Sequence, residues 1–283
     1  MKATGEPTTP ELPEVETIVR ALRPELTGRG IERLELLHPR VHRGVPAGVL
    51  RGAVEGAVIT GVRRRGKYIL LDLSRRPSIA VHLGMSGSLL LSVAPLDSPH
   101  LRAAFHFAGG GRLNFVDPRT FGTLFPLAGE IPRGFRSLGA EPLSSSFTAA
   151  ELEGLLSHRR APVKALLLRQ DLVAGIGNIY AGETLFRARI SPFRAGGDLS
   201  RAEVRRLHRA MRAVLREAIG EMGTTLSDFR RPDGEPGKFA NRLHVYGRAG
   251  KPCPRCGTPV ERATQHGRST FFCPRCQLPP GRG

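Results

Sequence analysis

The chain has 283 residues, 40% of them hydrophobic, and carries 43 Lys and Arg against 25 Asp and Glu, a formal net charge of +18. That length accommodates two domains and a small module, the apolar content excludes wholesale disorder, and no apolar run approaches the roughly 18 residues of a membrane helix. The charge is spread along the chain rather than held in a tail, the footprint of a protein that binds a polyanion, nucleic acid first. A ribosome-associated protein, or an arginine-rich surface with no such partner, is the competing reading.

Residues 1–9 (MKATGEPTT) read as a short extension without the apolar stretch of a secretory signal. A helix is expected from Glu11 to Leu22, with Pro13 and acidic residues in its first turn, where both are favourable. From about Ile31 to Phe125 short apolar runs are bounded by Gly, Pro or Ser. Tyr68–Leu73 (YILLDL), Ile79–Leu83 (IAVHL), Ser88–Val93 (SLLLSV) and Leu113–Val116 (LNFV) are predicted strands of a sandwich or barrel. From about Thr148 the pattern turns helical: TAAELEGLLSHR, APVKALLLRQ, NIYAGETLFRA and a long segment in which Val204, Leu207, Met211, Val214, Leu215 and Ile219 recur at three- and four-residue steps. Gly223–Arg242 is a loop by composition. Strands segregated from helices imply an α+β chain rather than alternating βαβ units.

All four cysteines lie between Cys253 and Cys276, which argues for one local metal site in a reducing compartment and hence a cytoplasmic protein. Cys253-x-x-Cys256 and Cys273-x-x-Cys276 offer four thiolates, the donor set of a closed, structural tetrahedral zinc. Paired disulfides and an iron–sulfur centre are the alternatives. The hairpin between the two knuckles has Gln265–Thr270 at its tip, with Arg268 on it.

Pro10–Thr17 (PELPEVET), Leu83–Leu89 (LGMSGSL), Asp117–Gly122 (DPRTFG), Gly175–Tyr180 (GIGNIY), Val245–Arg248 (VYGR) and the cysteine module follow one another in an order and spacing that resembles the formamidopyrimidine-DNA glycosylase family. The resemblance runs from Pro10 to Gln277. ELPEVE and the stretch Thr224–Arg248 (TTLSDF…DGEPGKF…VYGR) are similar to the oxidised-purine branch rather than the oxidised-pyrimidine branch. The implied architecture is a leading helix and N-terminal β-sandwich (10–140), a helix–two-turns–helix domain (141–242) whose loop 223–242 closes over an everted lesion, and a zinc finger (243–283).

The implied activity is excision of 8-oxoguanine and formamidopyrimidines from duplex DNA by a monomer, followed by strand cleavage. Pro10 matches the family's nucleophile, whose secondary amine forms a Schiff base at the sugar C1′ before β- and δ-elimination. Glu11 matches the proton donor, and Glu14 an assistant at the sugar. Lys67 matches a lysine that contacts phosphate and aids elimination. Met85, Arg119 and Phe121 match the trio that fills the gap left by the flipped base, the guanidinium bonding the orphaned cytosine. His100, Arg159, Lys164, Asn178 and Arg268 match phosphate-contacting positions, and Arg268 also matches a residue linked to δ-elimination.

The chain departs from the pattern at a few places. His100 lacks the usual acidic neighbours, Arg159 stands where lysine is common, and Gly182 precedes Glu183 where an acidic or small polar residue is usual. The largest departure is that nine residues precede Pro10. An amide nitrogen in a Thr9–Pro10 bond has its lone pair delocalised and cannot form an iminium. The active form is therefore expected to begin at Pro10. The alternatives are Lys67 as a substitute amine, or a relative that binds damage without cleaving it.

Overall fold

The computed structural model describes residues 9–74, 76–226 and 229–278. Residues 1–8 of the extension, Arg75, the loop residues Ser227 and Asp228, and the last five residues lie outside the described residues.

Leu12, Val15, Ile18, Val19, Leu22 and Leu26 form one apolar stripe at helical spacing, and all are buried on α1 (Leu12–Leu26). The helix runs one turn beyond the expected Leu22, past Pro24, and ends where the Thr27 amide and hydroxyl both donate to the Arg23 carbonyl. Its stripe lies against β2 (Ile59–Arg65) and β3 (Tyr68–Leu73). With β4 (Arg76–His82) and β8 (Thr123–Pro126), these strands form one antiparallel sheet in the order β2-β3-β4-β8. The second sheet has the order β1-β6-β7-β5, from β1 (Ile31–Leu36), β5 (Ser88–Ser92), β6 (Leu101–Phe107) and β7 (Arg112–Val116). Ile69, Leu71, Ile79 and Val81 of one sheet and Leu89, Phe105, Leu113 and Phe115 of the other share a single core with α1 and with α2 (Ala47–Val54). This is the expected sandwich. The strands that no quoted run singled out are β1, β2, β6 and β8; in β1 and β2 the charges of Glu32, Arg33, Arg63, Arg64 and Arg65 obscure the period, and β8 has only four residues.

A short α3 (Arg133–Arg136) closes the first of two compact units, which runs to Arg136 and also takes in Glu221–Lys238. The physical reason for that attachment is local. The Thr224 amide donates to the Glu14 carboxylate of α1 at 2.7 Å, and Phe229 packs on the sandwich core.

The second unit comprises Ser137–Gly220 and the chain from Phe239 onward. It holds α4 (Ala149–Leu156), α5 (Val163–Leu167), α6 (Asn178–Ala188), α7 (Arg201–Gly220) and the antiparallel hairpin β9 (Glu261–Gln265) and β10 (Arg268–Phe272). The helices α4 and α6 pack on α7, and α6 also touches β10. No helix among the described residues is long and apolar enough to cross a membrane.

Candidate catalytic and DNA-contacting sites

In the first unit, Pro10 is buried immediately before α1, and Glu11 is the residue that caps the helix. A capping box closes there, with the Glu14 carboxylate accepting the Glu11 amide at 2.8 Å. Glu14 is 2% exposed and also receives the Thr224 amide, so one buried carboxylate ties the catalytic segment to the root of the 221–238 loop. Capping alone explains Glu14. It does not explain why Glu11, 3% exposed, is an acid at all, since neutral Ser or Asn caps a helix as well.

Lys67 stands in the two-residue turn that joins β2 to β3, paired at Arg65 and Tyr68. Its neighbours in the basic run are committed elsewhere. Arg63 is bonded to Asp72 at 2.8 Å, and Arg64 to Glu16 of α1 at 3.1 Å. The run is thus not a uniform solvated face. Tyr68 packs on His82 of β4 with ring centroids 4.8 Å apart and the rings tilted by 50°. Burial first, and then the charge of Lys67, push the His82 pKa down to about 4. The neutral ring accepts the Gly84 amide at Nδ1, 3.1 Å away.

That bond opens the turn bearing Met85, and a second turn meets it. Asp117, fully buried, accepts the Ser86 hydroxyl at 2.6 Å and the Arg119 amide at 3.2 Å on Oδ1, and the Gly122 amide at 2.8 Å on Oδ2. One carboxylate therefore fixes both LGMSGSL and DPRTFG. The approach is close enough to require glycine. A Cβ on Gly84, whose φ is +65°, would fall 2.7 Å from the Gly122 nitrogen, and one on Gly122 would fall 2.3 Å from the Phe115 ring. Arg119 and Phe121 are exposed, with the guanidinium 5.1 Å from the ring centroid, and Met85 is half-buried. Thr120 between them has φ +54°, an unusual conformation for a β-branched residue, and its carbonyl is held by Arg43 at 2.8 Å. His100 joins this group through its backbone, its carbonyl accepting the Asp117 amide at 2.9 Å while its ring is exposed.

In the second unit, Asn178 is the first residue of α6, following a turn folded by Gln170, whose side chain receives the Gly175 amide at 2.9 Å and donates to the Ile176 carbonyl at 2.7 Å. Asn178 Nδ2 and Lys164 Nζ both donate to the Ser269 carbonyl, at 3.0 and 2.8 Å. Lys164 also donates to Thr270 Oγ1 at 2.7 Å. Lys164 is 2% exposed. Its ammonium lies beneath the hairpin instead of on a surface, so its hydrogen bonds position β10 from below. Arg268, the first residue of β10, is exposed. An open pocket of about 360 Å³ lies between Ala161, Lys164 and Arg169 on one side and His266 and Arg268 on the other. Arg159 follows α4, is half-buried, and donates from Nε to the Leu155 carbonyl at 2.8 Å.

The four cysteine sulfurs lie within 4.8 Å of one another, with Cys253–Cys276 at 4.0 Å and Cys256–Cys273 at 3.5 Å. A tetrahedron with Zn–S bonds of about 2.3 Å has edges of about 3.8 Å, so the donor set fits one zinc with every vertex filled by protein. Disulfide pairing would need sulfurs about 2.05 Å apart. The segment entering this module is held by Glu183, 1% exposed, whose carboxylate accepts the amides of His244, Val245 and Tyr246 at 2.9–3.1 Å.

Sequence models agree with this geometry. The N-terminal domain of formamidopyrimidine-DNA glycosylase matches residues 9–124, its H2TH domain matches 138–230, and the zinc finger found in FPG and IleRS matches 250–278. The chain belongs to the formamidopyrimidine-DNA glycosylase family. It is 48% identical over 258 residues to the formamidopyrimidine-DNA glycosylase of Moorella thermoacetica, covering 89% of this chain and 94% of that one. The Thermus thermophilus enzyme is 49% identical over 259 residues, covering 89% and 92%. Among solved structures, the MutM protein of Thermus thermophilus superposes with a TM-score of 0.85 at 46% identity, over 95% of this chain and 98% of that one. The Lactococcus lactis enzyme in complex with Fapy-dG DNA has a TM-score of 0.85 at 33% identity, over 95% and 100%.

The residues that sequence reading passed over are the polar organisers: Asp117 and, in its carboxylate role, Glu183, both buried, and His82 and Gln170, both half-buried. Asp117 and His82 lie inside or beside quoted motifs, so a signal existed. What the sequence lacks is any indication of which polar residues point inward.

Proposed function

We propose that this chain removes 8-oxoguanine and formamidopyrimidines from duplex DNA as a single cytoplasmic polypeptide and then cleaves the strand at the abasic site. The observation that carries the reading is the pair of buried carboxylates directly behind Pro10. Glu11 and Glu14 sit where a proline amine would attack, and Glu14 binds the loop that would close over the lesion. Pro10, once its nitrogen is a secondary amine, adds to the sugar C1′. The base departs with a proton and the nitrogen loses its remaining N–H proton; the nitrogen lone pair then expels O4′, protonated through Glu11, which opens the sugar and leaves an iminium. Abstraction of a proton at C2′ then expels the 3′ phosphate, and a further elimination expels the 5′ phosphate.

Lys67 holds the phosphate beside the attacked sugar. Met85 and Phe121 replace lost stacking, Arg119 bonds the widowed cytosine, and His100, Arg159, Asn178 and Arg268 hold the backbone, with Arg268 also serving the second elimination. Lys164 contributes by seating the hairpin that presents Arg268. Domains bounded at 10–140, 141–242 and 243–283 would share the labour: attack on the sugar in the first, with phosphate contacts spread over all three. A structure of the Lactococcus lactis enzyme holds DNA with an oxidised pyrimidine, which supports a second, weaker lesion class.

A panel of duplexes carrying 8-oxoguanine, formamidopyrimidine, an oxidised pyrimidine or no lesion tests the reading. Protein beginning at Pro10 is expected to excise the first two, and Glu11→Gln to slow excision by at least about 100-fold. No cleavage above the undamaged control would sink it.

A further inference from the structure

The apolar face of α7 is spent on packing: Val204, Leu207, Met211, Val214, Leu215 and Ala218 are buried on the side that meets α4 and α6. The charged groups along one edge of the face turned away are all of one type. Arg201, Arg205, Arg209, Arg212 and Arg216 recur at steps of three or four and fall within an arc of roughly 80° at about 100° per residue. Two of them are engaged, Arg201 with Glu153 at 3.0 Å and Arg212 with the carbonyls of Pro142 and Ser144 at 2.9 and 2.6 Å. Arg205, Arg209 and Arg216 are exposed and make no ion pair or hydrogen bond among the described residues.

The acids of the helix offer them nothing, because Glu203 is taken by Arg194 and Glu217 by Arg187. Solvated helix faces ordinarily interleave both signs, and like charges one turn apart oppose helix formation. A face of a single sign, spanning about 16 Å from Arg205 to Arg216 and made of guanidinium groups that match phosphate geometry, is complementary to a duplex backbone, which carries a charge every ~1.7 Å of its axis. It lies on the far side of α7 from α6, the helix that Asn178 opens. It is therefore not an extension of the Asn178–Arg268 contact.

We propose that the arginine ladder of α7 is a second contact for duplex DNA, holding the backbone of an undamaged segment while the lesion-reading residues are occupied.

The test immobilises the full protein on a short duplex bearing an abasic-site analogue and titrates a labelled undamaged duplex at several salt concentrations. The unaltered protein is expected to capture the second duplex. The variant Arg205→Gln/Arg209→Gln/Arg216→Gln is expected to lose at least tenfold in capture and to show a log–log salt slope shallower by about 2–3, at about 0.9 per phosphate contact. The corresponding triple Lys variant is expected to keep most of the capture. The Gln variant is expected to melt no lower than the parent, since it has lost only repulsion. Equal capture by the Gln variant overturns the proposal, and so does equally tight capture of duplex RNA in place of DNA. Loading on the abasic duplex is measured separately, so a failure of lesion binding is distinguishable from a failure of the ladder.

Discussion

At the residue scale, a few buried polar groups govern where the reactive ones stand. Asp117 is the plainest case, accepting from Ser86, Arg119 and Gly122 with no exposure to solvent. Asp117→Asn replaces one acceptor oxygen with an NH₂ that must face a hydroxyl or a backbone amide. The expected cost is about 1–3 kcal/mol of stability, read by denaturant unfolding, with weaker binding to an abasic duplex opposite cytosine. His82 supplies a pH prediction. Its pKa is depressed to about 4 in the fold from an ordinary 6.5, so the neutral ring is the stabilising form. That contribution is complete above pH 6.5 and is lost as the pH falls through 4. His82→Gln should therefore narrow the drop in melting temperature between pH 7 and pH 4.5 relative to the unaltered chain. An unchanged drop would mean that other groups carry the acid sensitivity.

At the element scale, the zinc module is held by α5 and α6. Lys164 and Asn178 grip Ser269 from below, and Glu183 grips the amides of 244–246. Cys273→Ser is expected to reduce bound zinc from one equivalent to below detection, since structural zinc sites fold only when the donor set is complete. DNA binding should fall with it, while the sandwich keeps its own cooperative unfolding transition. Retained DNA affinity in a zinc-free protein would show that the hairpin stands without its metal.

Much of this scale was legible in the residues. Tyr68–Leu73 is a strand with the bounds its apolar run suggested, and α6 coincides with NIYAGETLFRA. The knuckle spacing led directly to the four clustered sulfurs. Other parts were not legible. Strand β2 reads as ITGVRRR, and only the structure shows Arg63 and Arg64 paired to Asp72 and Glu16. Lys164, matched to a phosphate-contacting position, is held under the hairpin by Ser269 and Thr270, a side-chain direction that a five-residue helix does not reveal in sequence.

At the scale of the whole molecule, the surplus of positive charge is organised as well as large. Arg63, Arg64, Arg194 and Lys164 are consumed by internal partners, whereas Arg119, Arg268 and Arg205, Arg209 and Arg216 of α7 are presented outward. Composition signalled a polyanion partner but could not say which cations were available to it. The same logic applies to Pro10. Its motif, its burial and the carboxylates behind it fit the family's chemistry, yet in the chain as written its nitrogen belongs to an amide. Borohydride trapping on an 8-oxoguanine:cytosine duplex decides the matter, comparing protein from Met1 with protein beginning at Pro10, each N-terminus verified by mass. The account predicts a covalent adduct only with the Pro10 form. An equal adduct from intact Met1 protein would contradict it and move the nucleophile to another amine, Lys67 first.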